Sequence, residues 1–207
     1  MADRKRIGIM GGTFDPIHFG HLVGAEWVRE KLNLDEIVFI PTGKPAHKRN
    51  WNVTDGMDRL EMVKLAISGN DHFTSSDMEV TRVGITYTID TINALEDAYG
   101  DGTKLYFIIG ADSLMDVHSW YRAEDLLRKA SFVAVTRPGF EDELILKEKQ
   151  RLEELWKADI QLIEIPHMGM SSTMIRSRVK QGESARYLVP EPVLDFIREK
   201  GLYRNDI

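Results

Sequence analysis

Residues 8–22, GIMGGTFDPIHFGHL, carry four glycines, two histidines and one proline in fifteen positions. Gly11 and Gly12 allow backbone angles that other residues avoid and let the main chain approach a ligand closely. A helix that starts just beyond them points unpaired amides, and the positive end of its dipole, at whatever sits there. That is an anion site, and phosphate is the natural anion. The pattern is neither G-x-G-x-x-G nor a Walker A loop, because the third glycine is out of place and no G-K-[ST] follows. His18 and His21, three apart, share one side of the helix start. Imidazoles there can donate to phosphate oxygens and can carry charge near neutral pH. Metal ligation, or one capping and one packed histidine, competes with that reading. The glycine turn and the lack of an obvious third ligand favour phosphate.

The elements that must position these groups follow from periodicity. Ile7 and Ile9 alternate ahead of the glycines and predict a strand over residues 5–10. Leu22, Ala25, Val28 and Leu32 recur at helical spacing. EIVFIPTG reads as a buried strand of a parallel sheet, and GKPAHKRNWN as a polar loop. A helix is predicted over 57–68, a weak strand in FTSSDMEVTR, and a helix in TIDTINALEDAYG that buries Ile89, Ile92 and Tyr99 and closes at Gly100. KLYFIIGAD, SFVAVTRPG and IQLIEIP are further strands. WYRAEDLLRKA and residues 142–158 are helices between them, and SSTMIRSRVKQG and EPVLDFIREKGL are two last helices. Strands and helices alternate throughout. The expected fold is therefore α/β, a doubly wound, mainly parallel sheet with helices on both faces, in one domain spanning 1–207 whose helical C-terminal part covers 171–207. Such sheets bind ligands beyond the carboxyl ends of their strands, where loops 11–21, 41–49, 110–120 and 166–176 fall.

Composition narrows the function. The 207 residues carry 27 basic and 33 acidic side chains, a net charge of −6, which argues against a general nucleic-acid binder. No cysteine is present, so disulfides, thiol catalysis and cysteine-ligated metals are excluded. The sequence has no apolar signal core and no run of membrane-spanning length; the expectation is a cytoplasmic enzyme without a membrane partner.

GGTFDPIHFGH resembles the signature of the nucleotidyltransferase superfamily, whose core pattern T/H-x-G-H is matched by His18-Phe19-Gly20-His21. SSTMIRSRV resembles its second motif, S-S/T-T-x-I-R. With TYTIDTI and GADSLMDVHSWYR, the chain is similar over essentially its whole length to the nicotinate mononucleotide adenylyltransferase family. The resemblance implies transfer of the adenylyl group of ATP to nicotinate mononucleotide, releasing pyrophosphate, a step of NAD biosynthesis. The attacking phosphate oxygen is already ionised, so no general base and no covalent intermediate are needed. The protein must align the reactants and neutralise the departing charge.

Roles follow by the same resemblance. His18 and His21 contact the ATP phosphates, and Gly11, Gly12, Thr13 and the Phe14 backbone hold the reacting one. Ser172, Thr173 and Arg176 hold the β and γ phosphates, for which a guanidinium fork is suited; taken alone, Arg176 reads as a surface residue of a capped helix. His18, His21 and Arg176 are the expected catalytic groups. Lys44 is assigned to the triphosphate and Lys48 to the mononucleotide, although a lysine in a polar loop is ordinarily just solvated. Asp112, after Gly110, suits a ribose diol and equally caps a helix. Thr86, Trp120 and Tyr121 match the pyridine pocket, where an indole face can stack on the ring; tryptophan at a helix start is ordinarily core. Mg2+ is expected to arrive with ATP. No carboxylate cluster forms a cage for it, and Asp15, the nearest candidate, reads better as shaping the turn before Pro16.

The partners expected are ATP and nicotinate mononucleotide, and a homo-oligomer is left open. Three alternatives remain at this level. The acceptor could be nicotinamide mononucleotide or phosphopantetheine. The chain could be a non-catalytic nucleotide sensor, against which the intact His18, His21 and Arg176 speak. It could also be a fragment of a class I aminoacyl-tRNA synthetase, but no K-M-S-K-S-like loop or tRNA-binding extension is visible.

Overall fold

Ile7 and Ile9 point to one face of a strand and Met10 to the other, and all three are buried, because helices cover both faces of the sheet. The computed structural model describes residues 4–45, 53–100, 102–136, 143–166 and 168–204. Six strands pair in parallel: β1 (Lys5–Gly12), β2 (Glu36–Pro41), β4 (Phe73–Ser75), β6 (Thr103–Gly110), β7 (Ser131–Thr136) and β8 (Ile160–Glu164), in the order β4-β2-β1-β6-β7-β8. The chain builds outward from β1 in one direction, then crosses back to β6 and builds outward in the other. The crevice at the carboxyl ends of β1 and β6 is the switch point of the sheet.

One face is covered by α3 (Thr88–Tyr99), α4 (Ala111–Asp116), α5 (Ala123–Lys129) and α6 (Glu143–Trp156), which bury Ile89, Ile92, Leu114, Leu126 and Leu152 against Ile7, Ile9, Phe107 and Phe132. The other is covered by α1 (Phe19–Leu32), α2 (Gly56–Ile67), α7 (Ser172–Lys180) and α8 (Glu191–Glu199), with Val28, Met62, Ile175 and Ile197 against Met10, Phe39, Ile108 and Val133. This is the doubly wound α/β arrangement that the alternation of elements predicts. Gly8 is part of the reason the second face closes: a Cβ there would lie 2.3 Å from Ile37 Cδ1 and 2.9 Å from Leu34 Cδ1.

The structure departs from the sequence expectation in three places. The weak strand stops at Ser75, and residues 78–80 form a turn in which the Thr81 amide donates to the Asp77 carbonyl (3.0 Å). The helix expected from Trp120 begins at Ala123. Before it come α4 and a 3-10 turn over Val117–Ser119, anchored by buried Leu114 and Val117, and Arg122 with φ 53° breaks the path. The polar loop after β2 starts with a strand, β3 (Lys44–Pro45), paired in parallel with β5 (Ile85–Thr86).

The two-stranded sheet depends on Gly43. A Cβ at this position would fall 2.1 Å from the Glu79 carbonyl oxygen and 2.9 Å from Thr86 Cγ2. A backbone atom cannot rotate away as a side-chain end can. Gly43→Ala should therefore lower unfolding free energy by about 1–3 kcal/mol, the scale of an overpacked site, measured by urea melts read at an unchanged m-value.

Candidate active site

The glycines end β1 at the switch point, and the chain then turns sharply. Phe14 has φ 49°, a left-handed conformation, and its ring is buried between His21 (5.1 Å, edge-on) and Phe39 (5.9 Å). Gly12 lies under that ring: a Cβ would meet Phe14 Cζ at 2.9 Å. Arg59, itself 4% exposed, spends its guanidinium on three carbonyls, those of Thr13 (2.8 Å), Thr42 (2.8 Å) and Thr54 (2.9 Å), and so ties the turn to the loops beside it.

His18 caps α1 and His21 lies in its first turn. The rings stack with centroids 3.8 Å apart and planes 25° from parallel. The His18 amide donates to His21 Nδ1 (3.2 Å), so the neutral His21 ring carries its proton on Nε2 and offers that N–H as a donor. Burial lowers the His18 pKa to about 4, and burial together with the neighbouring His18 lowers that of His21 to about 3. The unliganded rings are thus neutral at pH 7, which corrects the expectation of charge near neutrality.

Three hollows meet at His21. The largest, about 690 Å³, runs past Gly11, Gly12 and Thr13 to Thr86, Tyr87, Trp120 and Tyr121. A second, about 230 Å³, lies between His18, Gly110, Asp112, Ile165, Met168 and Met170. A third, about 220 Å³, is walled by Thr13, Phe14, Asp15, Ser172, Thr173 and Arg176. A long acceptor, a nucleoside and a polyphosphate can each take one hollow, with the atom shared by all three beside His21.

In the third hollow Ser171 caps α7, accepting from the Met174 amide (3.2 Å), while the Ser172 hydroxyl donates to the Pro16 carbonyl (2.9 Å) and Arg176 Nη1 to the Asp15 carbonyl (2.6 Å). In the first, Thr86 is buried and its hydroxyl has no hydrogen-bond partner among the described residues, an arrangement that a polar ligand would satisfy. Trp120 is half-buried, edge-on to Phe107 (6.3 Å, 90°), and still borders the cleft; Tyr121 stacks on Tyr87 at 4.3 Å.

The cytidylyltransferase-like family model matches residues 9–178. Proteins of Desulfitobacterium hafniense and Thermoanaerobacter sp., each named "Probable nicotinate-nucleotide adenylyltransferase", are 45% and 46% identical over 98% and 100% of this chain and 98% of their own. The chain belongs to the cytidylyltransferase-like family, among the nicotinate-nucleotide adenylyltransferases. Its fold matches a solved Plasmodium falciparum nicotinic acid mononucleotide adenylyltransferase complexed with NaAD (TM-score 0.75, 24% identity, 96% of this chain and 97% of that one). A Vibrio parahaemolyticus structure described as a "Putative Nicotinate-nucleotide Adenylyltransferase" shares it at TM-score 0.67 and 20% identity, over 97% and 96% of the two chains.

Of the family residues expected from sequence, Gly11, Gly12, Thr13, Phe14, His18, His21, Thr86, Gly110, Asp112, Trp120, Tyr121, Ser172, Thr173 and Arg176 line the three hollows. Lys44 is not among the residues that line them: it is exposed on β3, beside the β5 strand that carries Thr86. Lys48 lies outside the described residues. Tyr87, Met168, Met170 and Glu79 are wall residues that sequence reasoning missed. Arg59 was missed too, although it falls on the buried side of α2 with Val63 and Ile67 at steps of four, where a charged residue signals a special role.

The depressed histidine pKa values have a measurable sign. From pH 6.5 down to about 4 the unfolded chain takes up protons at these positions that the folded chain refuses, so stability falls as the pH drops through that window. His18→Asn or His21→Asn should make stability from urea melts decline less steeply between pH 7 and pH 4 than in the wild type.

Proposed function

We propose that the chain transfers the adenylyl group of ATP to nicotinate mononucleotide, giving nicotinate adenine dinucleotide and pyrophosphate. The observation that supports this is that three hollows meet at His21; an α-phosphorus beside it would have the acceptor, the adenosine and the leaving group in one hollow each. The full-length relatives at 45% and 46% identity support the same activity.

A phosphate oxygen of the mononucleotide attacks the α-phosphorus in line, a new P–O bond forms, and the bond to the β-phosphate breaks. The nucleophile is already an anion, so the chain needs donors rather than a base. His21 Nε2–H and His18 act on the α-phosphate, and the backbone from Gly11 to Phe14 closes around it. Arg176 and the first turn of α7 receive the charge that grows on pyrophosphate. Asp112 faces the ribose side of the second hollow. Trp120 stacks on the pyridine ring, Tyr121 flanks it, and the Thr86 hydroxyl meets the nicotinate carboxylate. Mg2+, where it comes with ATP, would neutralise part of the phosphate charge. Among the described residues no three His, Asp or Glu side chains come together to hold a metal, and both Asp15 carboxylate oxygens already have protein donors. Within these residues no helix is long and apolar enough to cross a membrane; a cytoplasmic location is part of the proposal.

Pyrophosphate release with ATP and each of nicotinate mononucleotide, nicotinamide mononucleotide and phosphopantetheine tests the activity. Turnover is expected with the first; nucleotide binding without turnover would make the chain a sensor. His18→Ala should lower kcat about 10²–10³-fold, the scale of a lost oxyanion donor, and weaken ATP-analogue affinity far less. Trp120→Ala should raise KM for the mononucleotide about tenfold, equivalent to about 1.4 kcal/mol, with KM for ATP nearly unchanged.

A further inference from the structure

We propose that Tyr203 is a positioning residue for adenylyl transfer: its hydroxyl sets the Asp15–Pro16 turn and, through that turn, the guanidinium of Arg176. The inference rests on reading the third hollow as the polyphosphate site.

Asp15 poses a physical problem. It is 4% exposed and borders a hollow meant for anions. A buried carboxylate needs donors of its own, or it repels the phosphates and loses its solvation without return. Tyr203 supplies the stronger of two, its hydroxyl donating to Oδ1 at 2.6 Å; the Thr54 amide reaches Oδ2 at 3.4 Å. The same residue's main-chain oxygen receives Arg176 Nη1 at 2.6 Å. One residue therefore joins a phenol near the end of the chain to the group that takes the leaving charge. Nη1 is committed to Asp15 and Nη2 donates more weakly to the Thr173 hydroxyl (3.4 Å), so the guanidinium is held from two sides while the rest of its N–H groups remain for the ligand.

Tyr203 is held to this task from several sides. Its hydroxyl also lies 3.9 Å from Met62 Sδ, and its backbone sits at φ 63° after Gly201 at φ 66°, a tight left-handed turn that brings the chain back from α8. Burial and the Asp15 charge push its phenol well above the usual range, so it stays a donor wherever the enzyme works. The Thr54 side chain also hydrogen-bonds the phenol, from the same loop whose amide reaches Asp15 Oδ2. A shift of about 1 Å in a supporting group is enough to cost a large factor in rate when alignment supplies the catalysis.

Tyr203→Phe keeps the ring and removes only the donor. The expected result is kcat lower by about tenfold, with KM for nicotinate mononucleotide unchanged. The same substitution placed in Arg176→Ala should cause no further loss, because the group it positions is gone. An unchanged kcat, or an equal loss in both backgrounds, would overturn the role. Calorimetry with inorganic tripolyphosphate separates this from the reading of the site. Wild-type protein that neither binds tripolyphosphate nor releases pyrophosphate overturns that reading and the proposal with it. Wild-type protein that does both, beside an unaffected Tyr203→Phe, overturns Tyr203 alone.

Discussion

The hydrogen bond from the His18 amide to His21 Nδ1 decides what the centre of the cleft can offer. It uses the acceptor side of the His21 ring and leaves Nε2–H as the donor of a residue that borders all three hollows. Protonating His21 at Nδ1 would break that bond, and the stacked His18 ring adds repulsion. The centre of the site is therefore a neutral, directional donor. A lysine in its place would bring a mobile charge with a large solvation shell; an imidazole locked by its own helix start brings orientation at little reorganisation.

Charge is handled just as deliberately around it. The protein as a whole is acidic, with a net charge of −6, whereas the function proposed for its hollows is to take phosphates. Asp15 and Glu79, the buried pair among the carboxylates on their walls, each have both oxygens turned to protein donors: Asp15 to Tyr203 and Thr54, Glu79 to the Thr91 hydroxyl (2.7 Å) and the Gly43 amide (3.4 Å). Neither faces a ligand bare. Arg59, buried with no salt bridge among the described residues, plays the reverse part by gathering three carbonyls with its guanidinium.

How much of this was legible follows from the physics of each residue. The sheet and its order of elements were readable because apolar runs such as IVFI and YFII are buried on both faces and bounded by glycine or proline. The sharp turn after β1 and the helix start that follows it were readable because their signals, glycines, a proline and a paired imidazole, are local. Position across the fold was not. Lys44 looked like a loop cation because a two-residue strand has no periodicity, and the contact that creates it, Gly43 against the Glu79 backbone, spans 36 residues. Trp120 was placed on a helix because its neighbours suit one; the αL turn at Arg122 that detaches it has no glycine to announce it. Tyr203 and Asp15 are 188 residues apart, and no spacing rule links them.

That last separation bears on how the protein comes into being. The polypeptide leaves the ribosome from its amino end, so the glycine turn and both imidazoles emerge early. Ser172 and Arg176, which wall the third hollow, are translated after all six strands of the sheet, and Tyr203 later still. A nascent chain halted before them has its sheet residues and an open mouth, but no guanidinium opposite the histidines. The third hollow is thus completed only after the sheet has been made, and contacts of such long range close slowly.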